Sequence, residues 1–199
     1  MLDPTKHSFI ETARRAQIIE CAIDAVAELG FGQASLAQIA KRAGISTGVI
    51  SYYFAGKEEL LRAVVVHVVE AAAAFIRPRV DFTAGPRAAL RSYVTACVQH
   101  IGEYPKNCVA IWNIVLAGRG DLYQPAGVTT REAAFIRVLE WGQREGVFRP
   151  FDVPIMARFI GNALDGFLGR LAVDKDFDVD AAGRELEEVV DRATRCDNR

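Results

Sequence analysis

Apolar residues in this chain recur at steps of three and four, and the every-second-residue alternation of a half-buried strand is missing over any useful length. That period restricts the architecture to helices packed on helices, so the fold class is all-α. From Glu11 to Leu29, the residues Ile18, Ile19, Ala22, Ile23, Val26 and Leu29 make one apolar stripe, and Gly30 supplies a left-handed stop. Ser35 with Gln38 fits a capping box that opens a second helix, closed by Gly44. Ser46 can cap a short third helix, Thr47 to Phe54, and a long fourth begins near Lys57 and ends at Arg77-Pro78. Five further patterns follow: Arg87 to Glu103, Lys106 to Ala117, Val128 to Glu145, Val153 to Ala172 and Ala181 to Arg195. The expected total is about nine helices, with no internal repeat.

With 199 residues, 51% of them apolar and 25% charged, the chain can bury a sizeable core and is not compositionally disordered. The formal charge of −1 excludes a bulk cationic field, so any polyanionic partner must be met locally. Cys21, Cys97, Cys108 and Cys196 form no C-x-x-C pair and the three histidines stand apart, so no metal and no cofactor is expected. Neither a signal peptide nor an apolar run long enough to span a bilayer is present, which points to a cytoplasmic protein with no membrane partner.

The local answer lies between Leu29 and Lys57, a stretch without one acidic residue that carries Lys41, Arg42 and Lys57 near its helix ends. Two helices joined by a tight glycine-containing turn form a helix-turn-helix, whose second helix fits the major groove, about 12 Å wide. Gly48 would let the start of that helix approach a phosphate backbone closely. Val49 and Ser51 can touch base edges, and Tyr52, Tyr53 and Lys57 suit phosphate contacts that set register.

The run from Gln33 to Phe54, QASLAQIAKRAGISTGVISYYF, followed by Gly56-Lys57-Glu58-Glu59-Leu60-Leu61, closely resembles the DNA-binding segment of tetracycline-repressor-like (TetR) transcriptional regulators. The resemblance covers roughly residues 11 to 62. It implies a three-helix DNA-binding domain over 1–56 and a divergent helical ligand-binding and dimerisation domain over 57–199. By the same resemblance Thr47, Gly48, Val49, Ser51, Tyr52, Tyr53 and Lys57 fall on positions that contact DNA, with Ser35 and Ser46 opening the two helices. The chain departs from the family pattern at Ser35, where Thr is usual, and at Ser51, which places a hydroxyl at a base-reading position and implies a different operator.

One short recognition helix reads too few base pairs alone, so a homodimer on an inverted-repeat duplex is expected. Ile155, Phe159, Ala163, Gly166 and Phe167, with Leu186, Val189 and Val190 of the last helix, are the candidate interface. Tyr93, Cys97, His100, Trp112, Asn113, Phe135, Leu139 and Asn162 supply an aromatic, weakly polar inventory for a small, mostly lipophilic effector. The expected function is a repressor released from its operator by that effector, with the long fourth helix transmitting the change. The alternative is an all-α small-molecule binding protein or enzyme without a specific DNA site.

Two motifs compete with this reading. Gly44-Ile45-Ser46-Thr47-Gly48 satisfies G-x-S-x-G, but a capped helix rather than a strand precedes it, and no catalytic residue is expected. Asp174, Asp176, Asp178, Asp180 and Glu185 reproduce calcium-loop spacing, yet Val179 stands where the turn needs glycine. The simpler expectation is that Asp178 or Asp180 caps the last helix.

Overall fold

The computed structural model describes residues 4–119, 122 and 131–196, with the side chains of 4–9 excepted. Among these residues the secondary structure is helical, apart from one isolated bridge between Phe148 and Arg195. Nine α-helices are described: α1 Pro4–Gln33, α2 Leu36–Ala43, α3 Thr47–Tyr53, α4 Lys57–Ile76, α5 Pro86–Glu103, α6 Pro105–Leu116, α7 Arg131–Arg144, α8 Val153–Val173 and α9 Val179–Thr194. A 3-10 turn, Arg77–Arg79, ends α4 where Pro78 cannot continue it.

Most boundaries agree with the apolar periods to within two residues. The first helix differs, starting at Pro4 rather than Glu11 and passing through a break at Gly30 to a last turn ending at Gln33. Proline suits a first turn, where an amide donor has no helical partner anyway. For α7, the described helix begins at Arg131, and the expected start at Val128 lies outside the described residues.

The chain forms two compact units, Met1–Glu70 with Lys106–Ala126, and Ala71–Pro105 with Gly127–Arg199. In the first, Ile18, Ile23, Ile39, Ile50, Phe54, Leu60 and Leu61 are fully buried in one cluster that includes Ala110, Ile111 and Ile114 of α6. This unit therefore reaches past residue 56 and takes in a helix from far along the chain. In the second unit α5 is central, flanked by α7, α8 and α9. At Gly183 of α9 a built Cβ would fall 2.4 Å from Val98 Cγ1 of α5, so only glycine allows the two backbones to approach this closely.

The calcium-loop reading does not survive the backbone. Asp178 Oδ1 accepts from Ala181 N at 2.8 Å as the N-cap of α9, and the helix already occupies the positions after it. Among the described residues no cluster of His, Cys, Asp and Glu could hold a metal ion.

Candidate nucleic-acid interface

The helix-turn-helix is fixed at its ends by short-range chemistry. Ser35 Oγ accepts from Gln38 N at 3.2 Å, and Ser46 Oγ accepts from Val49 N at 3.4 Å, so each serine satisfies an amide left over at a helix start. At the other end of α2, Gly44 adopts φ 66°, and its amide reaches back to the carbonyls of Ala40 and Lys41. Ser46 is thus a capping residue preceded by a helix and a turn. The strained strand-to-helix elbow of a hydrolase is not formed here.

Ile50 and the C-cap Phe54 are buried and pin α3 to the unit, while Thr47, Gly48, Ser51 and Tyr52 are exposed. Val49 and Tyr53 are half-buried. Tyr52 is 72% exposed and meets the half-buried Tyr53 edge to face at 5.0 Å. Ser51 Oγ donates to Thr47 O at 3.1 Å.

Lys57 is more constrained than its sequence position implies. Its Nζ donates to Phe31 O at 2.7 Å and lies 4.6 Å from the Phe31 ring centroid, and burial lowers its pKa. The ammonium ties the start of α4 to the last turn of α1, leaving its remaining donors for an external anion.

Three acids and one arginine outside the acid-free run were not legible as parts of this face. Tyr52 Oη donates to Glu11 Oε1 at 3.4 Å, Arg42 Nη2 donates to Glu28 Oε2 at 2.6 Å, and Glu59 Oε2 accepts from Ala55 N at 2.6 Å. The Arg15 guanidinium lies 4.8 Å above the Phe54 ring. No spacing rule links positions 41 residues apart, so only packing could bring Glu11 to Tyr52.

A family model for bacterial regulatory proteins of the tetR family matches residues 18–64, the stretch that holds this geometry. The HTH-type transcriptional regulator BetI of Ectopseudomonas mendocina is 30% identical over 190 residues, covering 92% of this chain and 94% of that protein. The chain belongs to the TetR family. Its fold is that of solved TetR-family regulators: one from Rhodococcus sp. superimposes with a TM-score of 0.79 at 22% identity, over 91% of this chain and 98% of that one. The ketosteroid regulator KstR2 of Mycobacterium tuberculosis gives a TM-score of 0.74 at 24% identity, over 92% and 96% of the two chains. This TetR-family chain is a DNA-binding transcriptional regulator, and among its described residues no helix is long and apolar enough to cross a membrane.

The remaining candidate residues of this TetR-family chain divide between the two units. In the second, Tyr93 packs its ring against Phe135 at 4.6 Å, and Cys97, His100, Phe135 and Leu139 are each buried. Burial pushes the Tyr93 phenol well up and the Cys97 thiol up to about 12, and it lowers the His100 pKa, so all three are neutral near pH 7. Trp112 and Asn113 lie on α6 in the first unit, where Asn113 Nδ2 donates to Val26 O at 2.9 Å. That amide is a cross-link between α6 and α1 rather than a ligand anchor. Asn162 is exposed on the outer side of α8, so it belongs to that surface and not to the buried aromatic group.

On α8, Ile155 and Phe159 are 52% and 65% exposed, Gly166 is exposed, and Ala163 and Phe167 are half-buried, Phe167 beside Phe177. Val189 of α9 is 60% exposed. Leu186 and Val190 are corrections to the interface set: both are buried within their own unit, because they lie on the side of α9 that meets α5.

Proposed function

We propose that this TetR-family regulator is a homodimeric cytoplasmic repressor that reads an inverted-repeat operator with α3 and releases it on binding a small, mostly lipophilic effector. The observation that carries the reading is the outer face of α3. Thr47, Gly48, Ser51 and Tyr52 are exposed together on a helix capped by Ser46 and held by Ile50 and Phe54. A polar helix face fixed by its cap and its buried anchors suits base edges and phosphates. Ser35 and Ser46 set the two helix starts, Val49 and Ser51 face the bases, and Tyr52, Tyr53 and Lys57 meet the backbone. The DNA-binding domain is residues 1–56, with Lys57 adding a contact at its border, and effector binding and dimerisation fall within 57–199.

The dimer reading rests on the apolar stripe along α8. Ile155, Phe159, Gly166 and Val173 follow helical spacing over 18 residues, about 27 Å of helix, with Val189 of α9 also exposed. A second copy presenting the same face would cover it by two-fold symmetry. Tyr93, Cys97, His100, Phe135 and Leu139 form the effector wall, and their neutral, apolar character is the reason to expect a lipophilic molecule. The protein acts by binding alone, without catalysis or cofactor.

Selection of genomic fragments by the purified protein at about 0.15 M salt tests the proposal. Enrichment of one inverted-repeat site supports it, and the flanking genes then guide a panel of effectors for operator release. Uniform retention that vanishes with added salt would leave only non-specific charge contacts and overturn it.

A further inference from the structure

We infer that Glu28 is a positioning residue for the DNA-reading helices, holding Arg42 at the end of α2 together with Lys106 in the first turn of α6. Arg42 Nη2 donates to Glu28 Oε2 at 2.6 Å, and the other carboxylate oxygen lies 4.0 Å from Lys106 Nζ. Lys106 Nζ also donates to Asp24 Oδ1 at 2.7 Å. Asp24 and Glu28 are one turn apart on α1, so two carboxylates on one helix face stand between a cation from α2 and a cation from α6.

The consequence follows from what each cation is attached to. Arg42 is the penultimate residue of α2, and only Gly44 to Ser46 separate α2 from α3, so a rotation of α2 carries the recognition helix with it. A second tether, Gln17 Nε2 to Ala43 O at 3.4 Å, acts on the same end of α2. Polar ties between α6 and the unit include Lys106 on Asp24 and Asn113 on Val26 O, and just past the helix Arg119 Nη2 donates to Glu58 Oε1 at 2.9 Å. Of these, the Lys106 end meets a carboxylate that also holds α2.

This role of Glu28 rests on the reading of α3 proposed above. The four charges are substantially solvated, and exposed pairs of this kind add little to global stability. Their weight is geometric: they limit the angle at which α2, and with it α3, leaves the unit.

The test uses the full chain, a duplex carrying the selected site, and a mixed-sequence duplex of equal length, with salt varied from about 0.05 to 0.3 M. Lys106→Met is expected to weaken the selected site about three- to tenfold. It should leave mixed-sequence binding and the slope of log K against log salt unchanged, because Lys106 meets no phosphate, and Lys106→Arg should restore the affinity. Without DNA, amide hydrogen exchange over 36–44 should rise in both Lys106→Met and Glu28→Gln. Unchanged exchange, or unchanged site affinity in Lys106→Met, overturns the inference, as does a slope reduced by about one, which would make Lys106 a direct phosphate contact. Failure of the DNA-contact reading is a separate result: Tyr52→Phe and Lys57→Met would then bind DNA as the parent chain does.

Discussion

Gly48 has no internal reason to be glycine. A built Cβ meets only Ser46 Oγ at 3.6 Å, ordinary contact, and its φ is not positive. On the proposed reading, a phosphate backbone approaches the start of α3 at this glycine. Gly48→Ala should therefore hold or raise the thermal midpoint, by up to about 1 kcal/mol of helix preference, while operator affinity falls at least about tenfold from the lost approach. Calorimetry and a binding titration on the same variant check both arms, and undiminished binding would refute the close contact. Ser51 carries a different message. Its one hydroxyl proton goes to Thr47 O, so towards a base it can only accept. It should read an exocyclic amine, adenine N6 or cytosine N4. Ser51→Ala should erase discrimination worth about 1–3 kcal/mol at one base pair of each half-site, measured by binding to duplexes with all four pairs at every position.

Helix α5 holds the clearest titration. His100 is buried, stacked on Tyr104 at 5.3 Å with Phe75 at 5.5 Å, and burial lowers its pKa below the ordinary 6.5. As pH falls through 6.5, the unfolded chain takes up a proton that the folded chain refuses, so stability is full above that value and declines below it until the folded pKa is reached. The thermal midpoint should drop between about pH 7.5 and 5.5, and His100→Phe should flatten that part of the curve in a scan across pH. Helices α2 and α3 were legible in the sequence to within a residue because serine caps and Gly44 mark their ends chemically. The start of α1 carried no comparable mark, and its apolar stripe begins well inside the helix. Asn113 and Asn162 lie outside the buried aromatic group for one reason: a polar residue on an apolar helix can face a ligand, a neighbouring carbonyl or water, and a 3.6-residue period cannot choose among them. Leu186, Val189 and Val190 pose the same problem on α9, where a 100° step per residue separates core from surface. Glu11, Glu28 and Lys106 escaped notice because their partners are distant in sequence.

For the assembled molecule, the stripe on α8 makes the sharpest demand. Phe159 is 65% exposed, so Phe159→Glu should cost the folded chain little and yet place a charge in the centre of the expected interface. Sedimentation should report a monomer with unchanged helix content and a large loss of operator affinity; a persistent dimer would locate the interface elsewhere. The first compact unit has a further property, for it is completed by Ala110, Ile111 and Ile114 from α6. Residues 1–70 alone would expose the apolar surface those side chains cover, and such a fragment should aggregate or melt well below the full chain in a thermal scan. On the ribosome the same geometry sets an order of events. The recognition helix is synthesised early, but its supporting core waits for residues beyond 106, so a growing chain gains a stable operator-reading face only when α6 has followed it out. A product that stops before α6 thus carries the recognition helix without the core that supports it.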